Sequence, residues 1–139
     1  MTKIADIMTR SIAVVQRDET LQATAQRMRD MDIGALPVVD GKALAGMVTD
    51  RDITVRGVAE GMIPQESLVS DVMTEDVRWC RDSDSVADVM AQMGDEQVRR
   101  LAVLDANDEI VGIVALGDIA TRQSEHIDET LREISTPGH

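Results

Sequence analysis

Gly46-Met47-Val48-Thr49-Asp50-Arg51-Asp52 decides how this chain folds: an apolar run of strand character passes directly into capping residues and a helix-forming run, Asp52-Ile53-Thr54-Val55-Arg56. The stretch is echoed at Gly112-Ile113-Val114-Ala115-Leu116-Gly117-Asp118, which continues into Ile119-Ala120-Thr121-Arg122. A strand-to-helix junction aims several backbone N–H groups and the positive end of a helix dipole at one spot, where a phosphate is held without a dedicated cation. The Thr49 hydroxyl adds a donor there. Asp52 can accept from two hydroxyls at once, so it suits a ribose diol and would repel a phosphate. A single isolated copy would be explained as well by a helix cap at Thr49 or Asp50, with Asp52 as a first-turn acid. Repetition argues for more.

The repetition extends along the chain. Ile4-Ala5-Asp6-Ile7-Met8-Thr9 matches Val69-Ser70-Asp71-Val72-Met73-Thr74 at an offset of 65 positions, which also pairs Met28 with Met93, Leu36 with Leu101, Val38 with Val103 and Asp40 with Asp105. One extra residue in Ala106-Asn107-Asp108-Glu109 moves the offset to 66, after which Gly46, Val48, Asp52 and Ile53 meet Gly112, Val114, Asp118 and Ile119. The sequence therefore divides into a first repeat over residues 1–62, a linker at 63–67, a second repeat over 68–123, and a C-terminal helix and tail over 124–139. Two copies of this length form a pseudo-two-fold pair sharing a core more readily than an open array.

Within each copy the pattern reads helix, strand, helix, strand, strand, helix. A short helix from about Lys3 to Met8 leads to extended Ser11–Val15, and Asp18 is the expected N-cap of a helix to about Met31 with Leu21, Ala25 and Met28 on its inner face. Ala35–Val39 is a strand, Asp40-Gly41 signals a hairpin into Leu44–Val48, and a helix runs from Asp50 to about Ala59. Pro37 lacks an N–H and belongs at an edge, a bulge or a strand start. In the second copy Asp82 or Ser83 is the expected cap of a helix carrying Val86, Val89, Met90 and Met93 inward. The last helix, through Ile127, Leu131 and Ile134 to Pro137-Gly138, carries an apolar stripe that suits either its own domain or a dimer interface.

Composition narrows the function classes. With 14 Lys and Arg against 26 Asp and Glu the net charge is −12, which repels nucleic acid and anionic membranes. Arg51, Arg56, Arg99, Arg100 and Arg122 are the cations near the motifs. There is no Phe or Tyr and one Trp, so a purine would lie between aliphatic walls and not on an aromatic platform. No run approaches a membrane span and the N-terminus reaches a charge early, so a soluble, cytoplasmic protein is expected. Cys80 is alone and sits in an expected strand, and neither His126 nor His139 forms a nucleophile–base pair or metal-ligand spacing. Neither catalysis, a metal nor a resident cofactor is expected.

Two copies of strand–helix–strand–strand–helix, each closing on a glycine, an apolar strand end and an acid at the helix start, resemble a tandem pair of CBS domains, a Bateman module. The match covers essentially the whole chain: Asp6-Ile7-Met8-Thr9, Ile33-Gly34-Ala35-Leu36-Pro37-Val38, the Gly46–Asp52 motif and their second-copy counterparts. The standalone form also resembles small bacterial proteins of the hypoxic response protein family. The resemblance implies an α/β (α+β) fold of two pseudo-symmetric β-α-β-β-α repeats packed through their sheets, with clefts that take adenosine-containing ligands such as AMP, ADP, ATP or S-adenosylmethionine. Carried onto this sequence, Thr49 would touch phosphate, with Arg51 as its possible partner, and Asp52 the ribose; Thr9, Ser11 and Ile12 with Ala35, Leu36 and Pro37 would wall the base. In the second copy Ala115 replaces the hydroxyl residue and Ala102 replaces Pro37, while Asp118, Arg99 and Arg100 remain, so the sites should be unequal. The expected function is a non-catalytic module that senses an adenosyl ligand and signals to a partner, as a homodimer; a ligand-independent dimeric scaffold with vestigial clefts is the alternative.

Overall fold

The computed structural model describes residues 2–10 and 12–121. Each copy builds a three-stranded sheet, β1-β2-β3 from Val15–Gln16, Ala35–Asp40 and Ala43–Thr49, and β4-β5-β6 from Trp79–Arg81, Arg100–Leu104 and Ile110–Ala115. The outer short strand pairs parallel with the middle one in both, Val15 opposite Val38 and Cys80 opposite Val103. One helix precedes the middle strand of each sheet: α1 (Leu21–Met31) and α3 (Val86–Glu96). Among the described residues no helix is long and apolar enough to cross a membrane.

Local chemistry explains most boundaries and corrects some. The cap of α1 is Thr20, whose hydroxyl accepts from the Ala23 N–H, and the cap of α3 is Ser85, accepting from Asp88; neither Asp18 nor Asp82 or Ser83 serves. The acids just upstream are committed elsewhere. Glu19 accepts from the Gln16 N–H and Asp84 from the Arg81 N–H, closing the turns that follow β1 and β4, so the last hydroxyl residue in each run is left to start the helix. The inner face of α1 is Leu21, Thr24 and Met28, whereas Ala25 is exposed; buried Thr24 donates its hydroxyl to the Thr20 carbonyl. In α3, Val89 and Met93 are buried and Met90 is 37% exposed. Both helices end on left-handed residues, Asp32 and Gln97.

The β2–β3 hairpin turns on Gly41 and Lys42, with positive φ at Gly41 alone of the two, the geometry of a turn whose first central residue is glycine. Register slips between Val38 and Val39, leaving Ala45 unmatched as a bulge. Pro37 lies in the middle strand, yet β1 reaches only Val38 and Val39, so the missing N–H falls where β2 has no neighbour on that side. After β3 the chain enters α2 (Asp50–Asp52), which widens into a π-helix over Ile53–Val58; the Ala59 N–H bonds the Thr54 carbonyl. Gly57, inside the π turn, sits so close to Leu21 that a Cβ would lie 3.1 Å from its Cδ1. The second copy continues from β6 into a helical run over 116–121.

The compact units exchange their leading segments. Of the described residues, one unit holds 2–10 together with Trp79–Asp105 and 111–121, and the other holds 12–78 together with Ala106–Ile110. Thus a 3-10 turn at Ile4–Asp6 belongs with the second copy: the Ile4 and Ala5 N–H groups donate to the Asp84 and Asp82 carbonyls, and Thr9 exchanges two backbone bonds with Ile113. The 3-10 turn at Val69–Asp71 belongs with the first copy, donating to Glu19 and Arg17, and Thr74 exchanges two bonds with Met47. Each unit has its own core. Val15, Leu21, Leu36, Val48, Val69 and Val72 meet in one, and Ile4, Val89, Leu101, Val103, Val114 and Ile119 in the other. Full burial of each such side chain is worth about 1.5–3 kcal/mol.

Cys80 is 2% exposed in the second core, and its pKa is raised from 9.0 to about 12 by burial first and by the nearby charges of Asp84 and Asp82. The thiol should therefore react with an aromatic disulfide reagent at pH 8 only when the chain unfolds. Above pH 9 the unfolded chain ionises this group before the folded one does, so its contribution to stability falls as pH rises from about 9 to 12. Rapid labelling of the native protein, at the rate of a free thiol, would contradict this.

Candidate functional site

The first-copy motif folds into a reciprocal hydrogen-bonded cap. The Asp52 N–H donates to the Thr49 hydroxyl at 3.0 Å while the Thr49 N–H donates to Asp52 Oδ2 at 2.9 Å, which is the capping-box pattern. The cap therefore uses one lone pair of the Thr49 oxygen and one oxygen of Asp52. Among the described residues the Thr49 hydroxyl proton finds no acceptor, and Asp52 Oδ1 is met only by the Arg56 Nε at 4.0 Å. A hydroxyl donor and a carboxylate oxygen at one helix start suit a phosphate and a diol respectively.

The surrounding candidates divide between the units. In the first-copy unit, register sets Ala35 opposite Thr49, Leu36 opposite Val48 and Pro37 opposite Met47, which brings the end of the motif beside the start of β2. The Asp50 N–H donates to the Gly34 carbonyl at 2.9 Å and ties the helix start to the same place. Leu36 is 1% exposed and its side chain fills the core; only its backbone is offered to a ligand. Ile12 is half-buried, the Arg51 side chain is exposed, and Ser11 lies outside the described residues. Thr9 falls in the other unit, exposed and paired with Ile113 on β6.

The second-copy motif keeps half of the cap. The Ala115 N–H donates to Asp118 Oδ2 at 3.2 Å, but no hydroxyl answers it. Arg99 and Arg100 are exposed at the start of β5, and the Arg99 carbonyl accepts from the Leu116 N–H at 2.8 Å. Ala115→Thr would restore the missing acceptor and should stabilise the fold by about 0.5–1 kcal/mol, read as an increase in the urea midpoint. A midpoint at or below that of the wild type would show that the second junction cannot form the reciprocal cap.

The π-helix and the Arg56–Asp52 approach escaped the sequence reading, although Thr49-x-x-Asp52 carried the signal for the cap itself. The expected tail stripe of Ile127, Leu131 and Ile134, with Arg122, His126 and His139, lies outside the described residues.

A duplicated α+β unit with a capped strand-to-helix junction in each copy defines a tandem-repeat protein. The CBS domain family matches residues 4–57 and 69–125, and the chain belongs to that family. It is 39% identical over 137 residues to the CBS domain-containing protein YhcV of Bacillus subtilis, covering 97% of this chain and 96% of that one. To Hypoxic response protein 1 of Mycobacterium tuberculosis it is 37% identical over 139 residues, covering 99% and 96%. Among solved structures, Hypoxic Response Protein I with two coordinated zinc ions superposes with a TM-score of 0.78 at 37% identity, covering 88% of this chain and 99% of that one. Among the described residues here, no group of three or more His, Cys, Asp or Glu is placed to hold a metal ion. CBSX2 in complex with AMP shares the fold with a TM-score of 0.75 at 24% identity, covering 92% and 99%. The CBS domain pair of MJ0100 in complex with 5-methylthioadenosine and S-adenosyl-L-methionine does so at 0.71 and 24%, covering 86% and 98%.

Proposed function

We propose that this protein is a non-catalytic regulatory module that binds an adenosine-containing ligand at its first-copy motif and passes the signal to a partner as a homodimer. The observation that carries the reading is the incomplete use of the Thr49–Asp52 cap: it orders both side chains while leaving a hydroxyl proton and a carboxylate oxygen for a ligand. The fold is one that holds AMP in CBSX2 and S-adenosyl-L-methionine in MJ0100, which supports the ligand class. Arg51 supplies positive charge for phosphate on an otherwise acidic surface, and the paired starts of β2 and α2 supply backbone around the base. The second-copy junction, with Asp118, Arg99 and Arg100 but no hydroxyl at Ala115, binds more weakly; one neutral donor contributes about 0.5–1.5 kcal/mol.

The scaffold alternative is favoured by apolar side chains on the surface, Val55 and Val58 on the π-helix among them. The two separate on a thermal-shift titration with AMP, ATP and S-adenosylmethionine. A rise in melting temperature with any of them supports the sensor, and none at millimolar ligand supports the scaffold.

A further inference from the structure

A cation stands beside the Asp52 oxygen that the cap leaves over. Arg56 Nε lies 4.0 Å from Asp52 Oδ1, and the same guanidinium donates through Nη1 to the Val72 carbonyl at 3.4 Å. The acid is mostly covered, its side chain 16% exposed against 55% for Arg56, and among the described residues Arg56 is the cation that reaches it. Val72 is buried, in a segment that β3 holds through the two bonds between Thr74 and Met47. Gly57, the next residue of the π-helix, packs on the same place: a Cβ there would lie 3.8 Å from Val72 Cγ1. The forked guanidinium serves both partners at once, which the single amino group of a lysine could not do as well. Because Nε stays beyond hydrogen-bond length, Asp52 Oδ1 is balanced in charge without being taken as an acceptor.

An exposed ion pair four residues apart on a helix contributes little, since water screens both charges. A ligand changes that balance. An adenosyl group seated on Asp52 removes the water that still reaches the acid, and covering a carboxylate costs more when no cation accompanies it. Attraction between the two charges also grows as the medium around them dries. We propose that Arg56 is a positioning residue of the first-copy site, which touches no ligand itself but balances the charge of Asp52 when a ribose covers it. It therefore raises affinity for adenosyl ligands whatever their phosphate count. The assignment rests on the binding reading given above and adds to it a residue outside the Gly46–Asp52 motif. Its match in the second copy, Arg122, lies outside the described residues.

The test is calorimetric titration with adenosine and with AMP, every chain carrying Asp118→Asn so that the first-copy site dominates the heat. Arg56→Gln should weaken both ligands alike, by about three- to tenfold, the size of coupling common between neighbouring groups. Arg56→Lys, which keeps the charge, should recover most of that loss. In chains that also carry Asp52→Asn, no charge remains to be balanced, and Arg56→Gln should then change affinity by less than about twofold. An equal loss in both backgrounds would make Arg56 a structural support of the helix and overturn the assignment. A loss for AMP with none for adenosine would make it a phosphate contact, which overturns it as well. Binding that Arg56→Gln leaves unchanged would remove this inference alone, whereas no heat from either ligand with Arg56 intact would remove the binding reading and this inference together.

Discussion

An adenosyl ligand at about one hundred times its dissociation constant is expected to stabilise the wild-type chain by roughly 2.7 kcal/mol, a rise of about 5–15 °C in melting temperature. The first-copy motif should account for most of it. Asp52→Ala is a blunt probe, because it removes the acceptor of the Thr49 N–H as well as the oxygen offered to a ribose; the unliganded protein should lose about 1 kcal/mol from the cap alone. Asp52→Asn is the sharper one. Its amide oxygen can still accept from Thr49, so the unliganded melting temperature should stay within a few degrees of wild type, while one ribose acceptor becomes a donor and the ligand-induced rise falls by more than half. Asp118→Asn should reduce the rise far less. Thr49→Ala should weaken binding toward that of the second copy, again at the expense of the cap. Equal ligand shifts in wild type and Asp52→Asn would make the motif purely structural in this protein.

The largest loss of stability is expected from adding one carbon to Gly46 or Gly112. A Cβ at Gly46 would lie 2.5 Å from the Thr74 carbonyl oxygen, and one at Gly112 would lie 2.7 Å from that of Thr9. Met73 and Met8 also lie close, at 3.2 and 2.8 Å to sulfur, but those side chains can swing aside. The carbonyls cannot. Each belongs to a residue that exchanges two backbone bonds with the strand, Thr74 with Met47 and Thr9 with Ile113, so relief of the overlap breaks those bonds. Overpacking plus two weakened bonds amounts to about 3–4 kcal/mol, a fall of roughly 10 °C or more. Gly94 and Gly117 are the controls, because nothing lies within 4 Å of a Cβ at either, and Gly94→Ala inside α3 should stabilise by about 0.5–1 kcal/mol. A Gly46→Ala melting temperature within a degree of wild type would mean that the leading segment does not approach the strand this closely.

The duplication, the hairpin at Gly41 and the strand-to-helix junctions were legible because they rest on local pattern: identities at a constant offset, alternation, and a turn residue where positive φ is needed. Helix starts were harder. Asp18-Glu19-Thr20 and Asp82-Ser83-Asp84-Ser85 each contain several residues able to cap; Glu19 and Asp84 close the preceding turn, and the residue directly after each, Thr20 or Ser85, starts the helix. Ala25 and Met90 were assigned inward on helical spacing, while the face that packs is set by Thr24 in α1 and leaves Met90 at the surface in α3. The double use of Thr49 and Asp52 as cap and as candidate ligand groups was half legible, since spacing predicts a cap and says nothing of which lone pairs it leaves. Least legible was the exchange of leading segments, because a repeat in the sequence identifies which stretches are alike and not which of them touch.

That exchange bears on how such a chain could have arisen. A polypeptide with one copy alone would carry Val69-, Val72- and Met73-like residues on a segment with no place in its own unit, and its glycine-bearing strand would lack the neighbour that Thr74 provides here. Two such polypeptides could complete each other by trading those segments, each supplying what the other is missing. Joining them end to end would need only a tether such as the one around Pro64, and would free the two halves to differ, as Thr49 and Ala115 do at matched positions.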